Sequence, residues 1–536
     1  MSAPPQLSPT DADAATARQA PARRVDRTRR LLFGFFTLLY ALSSMGRTNS
    51  TDGRDVYNTA VSLLLRRSLA ISPDIGTFVG RGGATYAKYG IGQSLAELPL
   101  VQVDQWARQL GLFLSAPQLF AMMTNAWITA AGVVVLYQLA RDFGYAKRPA
   151  LATALVYGLA TPAWVYAKLD FSEPMLALLL LLAALGAYRF RVTGSARWAA
   201  LVGVALGYAV LTKYAAIVFV PLFVVYLALA WRQRAQVPNL QLALAALGLG
   251  APVVAGIAGT LAVNWARSGS PWVTGYLAYE RPLNQSLPLT LHAAAALLIS
   301  PRYGLLFFAT PVLIGLLGFA AFRRRHPLEA WGIATLAGAT LLLYASYPTW
   351  YAGWTWGPRF LVPIVPLCLL PAVEVLAADG RTPRVTRYVR LALLAGLAEQ
   401  ALGVLVNYRA PYDVLPWWTH PQTAHIWTPW TSPLLIHVLL LPVSAVANLG
   451  LRVPGSSLLV DIANAQLAQL GQFFPFFWFS RFPNAVVALV VGAPWAVVAL
   501  VLCGRALVGR LTAAPAASAA DIRVAELSAG REPSPV

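Results

Sequence analysis

The sequence predicts an all-α fold, a polytopic bundle of about 12 transmembrane helices. Hydrophobic residues make up 58% of the 536-residue chain and charged residues only 12%, whereas a soluble domain is about half apolar and about a quarter charged. The chain also contains many apolar runs of about 20 residues, the length that crosses the hydrocarbon core of a bilayer. Helices are favoured because a helix satisfies its own backbone hydrogen bonds in lipid.

The apolar runs and the short polar connections between them place the predicted spans. Their limits are 30–46, 117–140, 149–166, 173–190, 198–212, 214–231, 241–264, 303–321, 329–346, 358–377, 390–407 and 483–503. If the N-terminal RRVDRTRR segment is cytoplasmic, every connection on that side is short and basic, apart from the longer C-terminal tail. This is the positive-inside pattern, and it predicts that both termini are cytoplasmic.

Two outer segments are long enough to hold structure of their own. The first outer loop, 47–116, contains amphipathic stretches at 55–71 and 90–111, which predict helices lying in the membrane interface. A further apolar run at 434–450 is short and contains Pro442. Both a re-entrant segment and a true span stay open there, so the predicted count ranges from about 11 to 13.

The charge and the cysteine content exclude several classes of site. The net charge is +20, and in a membrane protein basic residues mark cytoplasmic loops and anionic lipid surfaces. No nucleic-acid-binding motif is present, so we expect no nucleic-acid partner. The two cysteines, Cys368 and Cys503, lie in separate apolar runs, and neither they nor the five histidines form a metal-ligand pattern.

Acidic residues mark two places on the predicted outer side. Asp52 and Asp55 follow the first span, and Asp170 and Glu173 lie in a turn of a few residues between two later spans. The whole chain has only 21 acidic residues, so these positions are informative. Structural interpretations stay open: solvated loop carboxylates for the first pair, and a helix N-cap or dipole interaction for Glu173.

Basic and aromatic residues accompany these acids on the same predicted face. The cations are Lys88, Lys213, Arg302 and Arg359. The aromatic residues beside them include Tyr89, Tyr303 and Trp356. A lone lysine such as Lys213 also snorkels to lipid headgroups. An arginine just inside a span, as Arg359 is, needs an anionic partner.

Carboxylates and cations at one membrane face suit group transfer from a lipid phosphate. A carboxylate takes the proton from an acceptor hydroxyl as that hydroxyl attacks. Arginine and lysine hold the phosphate and stabilise its charge as it leaves. Lipid phosphate lies at the depth of the interface, so the catalytic groups are expected at the ends of spans.

Six stretches in this order and on this side resemble the GT-C superfamily of integral-membrane glycosyltransferases. They are STDGRDVYN, KYGIGQSLAELPL, LDFSEP, TKYA, SPRYGLLFFATPVL and WYAGWTWGPRFLVPIVPL, between residues 50 and 367. The resemblance is to the bacterial branch that uses polyprenyl-phosphate-linked sugars, near the protein O-mannosyltransferase, aminoarabinose transferase and RgtA/B/C/D-like groups. It implies a bacterial plasma-membrane enzyme with its active site on the extracytoplasmic face.

The resemblance also implies roles for the residues of these stretches. Asp52, with Asp55 as second choice, would be the general base of an inverting transfer. Asp170 and Glu173 would orient the acceptor or a metal. The residues that would bind the donor phosphate are Lys88, Lys213, Arg302 and Arg359. The residues that would line the path of the sugar or the prenyl chain are Tyr89, Tyr303 and Trp356.

The expected partners follow from that chemistry. They are a polyprenyl-phosphate-linked sugar, a lipid, glycan or protein acceptor, and membrane lipids. No cofactor is identified, and a divalent cation stays an open alternative. The predicted organisation is a disordered cytoplasmic tail at 1–28, a catalytic transmembrane module at 29–407, a C-terminal outer segment with the last span or spans at 408–510, and a disordered tail at 511–536.

Two other functions fit parts of the pattern. A secondary transporter also has 12 spans with both ends inside, but transporters keep ionisable residues near the bilayer midplane. The candidates for such residues here are Glu374 and Glu399. A ligase or polymerase of lipid-linked glycans, with an outer arginine-rich site, is the second alternative.

Overall fold

The computed structural model describes residues 27–44, 46, 48, 50–111, 118–233, 239–276, 286–409, 424–448 and 493–512. The helices of this part of the chain are α1 Arg27–Ser43, α2 Thr51–Arg66, α3 Gly92–Gln109, α4 Thr124–Asp142, α5 Lys147–Ala160, α6 Ala163–Ala167, α7 Glu173–Thr193, α8 Ala196–Thr212, α9 Phe219–Arg232, α10 Asn239–Ser268, α11 Leu287–Ile299, α12 Leu305–Phe308, α13 Val312–Arg325, α14 Pro327–Ala345, α15 Val365–Leu369, α16 Ala372–Ala377, α17 Pro383–Leu405, α18 Pro433–Asn448 and α19 Ala493–Thr512. Short 3₁₀ turns include Tyr214–Val218 and Arg359–Ile364.

The predicted fold class, a helical membrane bundle, is confirmed. Within the described residues, seven helical segments are long and apolar enough to cross a membrane: Ala121–Asp142, Glu173–Thr193, Tyr214–Arg232, Asn239–Ser268, Pro327–Ala345, Arg359–Ala377 and Pro383–Leu405. Three shorter apolar helices add to them: Ala196–Thr212, Leu287–Ile299 and Pro433–Pro442. The total of about 12 spans stays a prediction.

Proline accounts for two of the differences between predicted and observed helices. The predicted span at 149–166 is broken between α5 and α6 at Thr161 and Pro162, and the one at 303–321 is broken between α12 and α13 before Val312, where Pro311 intervenes. Proline lacks an N–H and clashes with the preceding helical turn, so each helix restarts after it. The last predicted span, 483–503, is described only from Ala493 onwards, as part of α19, and most of both predicted tails lies outside the described residues.

Residues 47–116, the predicted first outer loop, contain a helix at each of the two amphipathic stretches and one hairpin. Helices α2 and α3 occupy the amphipathic stretches, but α2 ends at Arg66 rather than near 71, because Arg67 takes a left-handed backbone (φ 51°). The chain then forms an antiparallel pair of strands, β1 Thr77–Val79 and β2 Thr85–Ala87. Sequence reasoning missed this hairpin.

Small residues let the central helices pack at backbone distance. A Cβ atom on Gly207 of α8 would lie 2.2 Å from the carbonyl oxygen of Pro252 in α10, and one on Gly256 would lie 2.2 Å from that of Gly207. In lipid no hydrophobic effect drives helices together, so close packing at small residues stabilises their association instead. This packing fixes the end of α8, which carries Lys213 into the site described next.

Candidate active site

A cavity of about 220 Å³ lies where the first outer loop meets the ends of several spans. Its wall includes six of the predicted site residues: Asp52, Lys88, Tyr89, Asp170, Lys213 and Arg359. The other lining residues are Val56, Gly90, Gln93, Phe171, Ser172, Thr212, Tyr276, Tyr347, Thr349, Tyr351, Ala352, Gly353 and Phe360. The fold therefore brings together groups that are up to 307 residues apart in sequence, the separation of Asp52 and Arg359.

Asp52 reaches the cavity from the first turn of α2. Ser50 caps this helix, with its side-chain oxygen accepting from the Gly53 N–H at 2.8 Å. The Asp52 carboxylate accepts a hydrogen bond from the Tyr89 hydroxyl at 2.7 Å and pairs with the Arg359 guanidinium at 2.8 Å. Burial disfavours the charged carboxylate, but Arg359 and the Tyr89 hydrogen bond outweigh it, and the pKa of Asp52 lies below its usual range.

Glu173 holds two cations of the site together. Its carboxylate is fully buried at the start of α7, and its Oε1 lies 2.7 Å from Lys213 Nζ and 2.9 Å from Arg359 Nε. The Arg359 guanidinium also lies 3.9 Å above the ring centroid of Phe171. Ion pairs and ring faces together compensate for removing these charges from water.

The KYGIG segment is pressed against the end of α8. A Cβ atom on Gly90 would lie 2.4 Å from the carbonyl oxygen of Thr212, and one on Gly92 would lie 2.2 Å from the Thr212 hydroxyl. This close approach places Lys88 and Tyr89 in the wall shared with Lys213. The Lys88 ammonium lies 5.5 Å from the ring centroid of Tyr276.

The turn that contains Asp170 is fixed to α2 and to α4. Asp170 accepts from the Ser50 hydroxyl at 2.8 Å, and the side chain of Asn125 donates to the carbonyl oxygens of Leu169 and Phe171, each at 2.7 Å. A Cβ atom at Gly53 would lie 2.0 Å from Asp170, so the glycine is required. Asp170 therefore positions the start of α2 as well as lining the cavity.

Asp55 lies behind the cavity wall. It is fully buried, and within the described residues neither carboxyl oxygen has a hydrogen-bond partner. It faces the turn before β1, where a Cβ atom on Gly76 would lie 2.4 Å from its Oδ2. Burial, with the nearby charges of Asp74 and Asp52, raises the pKa of Asp55 to about 7.

Besides Asp55 and Glu173, three further predicted site residues do not line the cavity. Arg302 is buried, with its guanidinium 5.4 Å from the ring centroid of Tyr303. Tyr303 lies one layer back, its ring centroid 6.5 Å from that of the lining residue Tyr351. Trp356 is fully buried, in edge-to-face contact with Phe308 at 5.1 Å. Their roles in binding phosphate, sugar or lipid stay predictions.

Sequence reasoning missed several residues of the site. Gln93, Phe171 and Phe360 lie within or next to the motifs that were singled out, but only the structure shows that they line the cavity. Tyr276 lies in a stretch without any such motif. Across the described ranges, no group of three or more histidine, cysteine or acidic side chains is arranged to hold a metal ion.

The Glu173 bridge predicts a large stability effect. Replacing Glu173 by Gln keeps the shape but leaves Lys213 without its carboxylate partner and Arg359 with Asp52 alone, and removing one partner of a buried pair costs about 3–5 kcal/mol. Asp74→Asn is the matched control, because it removes the carboxylate partner of Arg54, whose side chain is 47% exposed, and such pairs contribute about 1 kcal/mol or less. Thermal unfolding in detergent measures both variants. Equal shifts of the midpoint would contradict the bridge.

Comparison with known proteins finds one family model that matches part of the chain. Residues 103–255 match the model of the dolichyl-phosphate-mannose-protein mannosyltransferase family. No curated protein sequence matches the chain. Among solved structures, apo ArnT from Cupriavidus metallidurans is 18% identical, with 88% of this chain and 75% of that chain covered at a TM-score of 0.44.

Two further solved structures are similar at the same level. ArnT from Cupriavidus metallidurans bound to undecaprenyl phosphate is 18% identical, with 89% and 76% of the two chains covered and a TM-score of 0.43. The apo oligosaccharyltransferase of Archaeoglobus fulgidus is 12% identical, with 77% and 60% covered and a TM-score of 0.43. The family match spans Asp170, Glu173 and Lys213, and it supports the resemblance to the GT-C membrane glycosyltransferases found in the sequence.

Proposed function

We propose that this enzyme moves a sugar from a polyprenyl-phosphate-linked donor to an acceptor hydroxyl, with inversion, and that Asp52 is the general base. The observation that carries the proposal is the cavity in which the Asp52 carboxylate faces the same space as Lys88, Lys213 and Arg359. The description of the matched family, which names dolichyl-phosphate-mannose, supports a donor of this class.

The reaction is a single displacement at the anomeric carbon. The acceptor oxygen forms a bond to that carbon while the bond from the carbon to the phosphate oxygen breaks, and the electron pair leaves with the polyprenyl phosphate. The proton of the acceptor hydroxyl passes to Asp52. Lys88, Lys213 and Arg359 stabilise the charge that collects on the leaving phosphate.

Asp52 suits the role of base better than Asp55. Its carboxylate lines the cavity and is 24% exposed, whereas Asp55 is fully buried behind the wall. The pairing with Arg359 keeps Asp52 ionised and oriented at neutral pH. It also brings the proton acceptor close to the cation that would bind the phosphate. The same ion pair therefore lies beside both the attacking hydroxyl and the leaving phosphate.

The charges of the spans support an extracytoplasmic active site. Helices α7, α9 and α13 carry Arg191, Arg232 and the run Arg323–Arg325 in their last turns. On α7 this basic turn is at the end opposite to Glu173. Basic residues concentrate on the cytoplasmic side, so we assign the basic ends to the cytoplasm and the cavity to the outer face.

The ionisable residues that a transporter would need do not line this cavity. Glu374 accepts from the Tyr145 hydroxyl at 2.5 Å and pairs with Arg325 at 3.3 Å. Glu399 is bonded to the hydroxyl of Thr310. Both therefore hold helices together, which favours the transferase over transport.

Sugar transfer from defined donors tests the proposal. The purified enzyme is given a panel of polyprenyl-phosphate sugars, and released polyprenyl phosphate is measured. Asp52→Asn keeps the shape of the side chain but removes the proton acceptor, so we expect kcat to fall by about 10² to 10⁴. Asp55→Asn, which resembles the neutral form of a buried acid, is the matched control and should stay close to the wild-type rate. Full turnover in Asp52→Asn would overturn the assignment of the base, and no release by the wild type from any donor would overturn the function.

The pH profile separates the two aspartates by a second route. The base must be unprotonated to act. Because the pKa of Asp52 is lowered, kcat/KM should stay level as the pH falls from neutral to about 5. If Asp55 were the base, its pKa of about 7 would make kcat/KM fall by about tenfold per pH unit below neutrality. The donor's stability without enzyme is measured at each pH as the control.

A further inference from the structure

A second cavity of about 230 Å³ lies between the spans α7, α9 and α14. Its wall is almost entirely apolar, and Glu329 is its one charged lining residue. The lining residues used below are Ala184, Val225, Trp331, Gly332, Leu367 and Leu370. We call it the α9–α14 cavity.

The α9–α14 cavity is far from the catalytic cavity. Helix α7 starts at Glu173 in the active site and reaches the α9–α14 cavity near its other end, where Arg191 pairs with Glu329 at 2.6 Å. Ala184 and Ala187, which line the α9–α14 cavity from α7, follow Glu173 by 11 and 14 residues, which corresponds to about 16–21 Å along a helix. The two cavities therefore lie towards opposite faces of the membrane.

The α9–α14 cavity opens towards the lipid. Val225 and Trp331 line it and are each 57% exposed, although both belong to spans. Leu367 and Leu370 form its inner wall, and Leu370 is fully buried. The medium outside these spans is hydrocarbon, and an apolar cavity offers water no hydrogen-bond partners. An apolar cavity of about 150 Å³ already binds benzene, so this one has room for a segment of an alkyl chain.

The mouth of the α9–α14 cavity is cationic. Glu329 is neutralised within the wall, because it pairs with Arg191 and accepts from the Tyr226 hydroxyl at 2.6 Å. The Arg323 guanidinium lies 5.8 Å from the ring centroid of Trp331, at the lipid-facing edge. Arginines at this depth attract anionic lipid headgroups.

We propose that the α9–α14 cavity binds one acyl chain of an anionic membrane phospholipid, with the headgroup against Arg323. The exposed apolar mouth defines how the chain enters, and the neutralised Glu329 removes the charge that would repel an anion. The site does not depend on the sugar-transfer reaction, since it lies at the other end of the spans.

Photo-crosslinking tests the proposal at the inner wall. The full-length protein is placed in nanodiscs of phosphatidylcholine with phosphatidylglycerol that carries a diazirine in its acyl chain, and crosslinked peptides are mapped. We expect crosslinks on the peptide that contains Leu367 and Leu370, which surrounding lipids do not reach because both are buried. Absence of these crosslinks would overturn the proposal.

Two glycines of α14 provide a matched pair of variants. A Cβ atom on Gly332 would meet only Tyr226, at 3.8 Å, so Gly332→Leu extends into the cavity, whereas Gly338 has no atom within 4 Å and does not line it. Filling the space should lower the inner-wall crosslink about tenfold in Gly332→Leu, because a packed volume does not admit a chain, and leave Gly338→Leu unchanged. Equal crosslinking in both variants would overturn the site. If Gly332→Leu does not fold, Ala184→Leu fills the cavity from α7 and decides in its place.

The headgroup is tested with Arg323→Gln. The wild type should crosslink phosphatidylglycerol more than a phosphatidylcholine probe with the same chain, and the variant should lose this preference while keeping the chain contact. A preference that survives in Arg323→Gln contradicts the headgroup position. Displacement of both probes by polyprenyl phosphate would show that the cavity takes the carrier instead, and would overturn the proposal.

Discussion

The buried ion-pair chain Asp52–Arg359–Glu173–Lys213 is the interaction on which the site depends. Arg359 pairs with Asp52 and Glu173, and Glu173 pairs with Lys213 as well. A charge withdrawn from water at the edge of a membrane is stable only when it is paired and hydrogen-bonded. The first outer loop and the ends of three span segments must therefore meet at one point. The same ion-pair chain leaves one carboxylate, Asp52, and two cations, Lys213 and Arg359, facing the cavity, and these are the groups that a reaction with a phosphate leaving group requires.

The backbone around the cavity is as constrained as the charges. Gly53 lies in close contact with Asp170, and Gly90 and Gly92 lie in close contact with the end of α8. These contacts leave no room for a Cβ atom, so the loop that carries Lys88 and Tyr89 has one position against the bundle. In the proposed reaction, a donor phosphate would therefore meet preplaced cations, and little reorganisation would be needed as charge develops.

Much of this candidate site could be predicted from sequence. A charged residue near a membrane span is costly, so its presence there indicates a partner or a function. Acids and bases grouped on one predicted face do converge in one cavity, as Asp52, Lys213 and Arg359 show. Spacing along the chain could not tell which side chains reach the cavity wall. Trp356 is next to a glycine with a left-handed backbone (Gly357, φ 62°), and it turns into the core. Asp55 is only three residues from Asp52, yet it faces the hairpin side. Tertiary packing determines the directions of both side chains, and no local sequence pattern indicates them.

A cryo-EM structure of the protein with polyprenyl phosphate bound would show directly whether this cavity holds the carrier. We expect the phosphate in the cavity beside Asp52, within hydrogen-bonding distance of Arg359 and of Lys88 or Lys213, with the ion pair between Arg359 and Glu173 intact. A phosphate bound outside this cavity, for example against Arg302 one layer behind its wall, would contradict it.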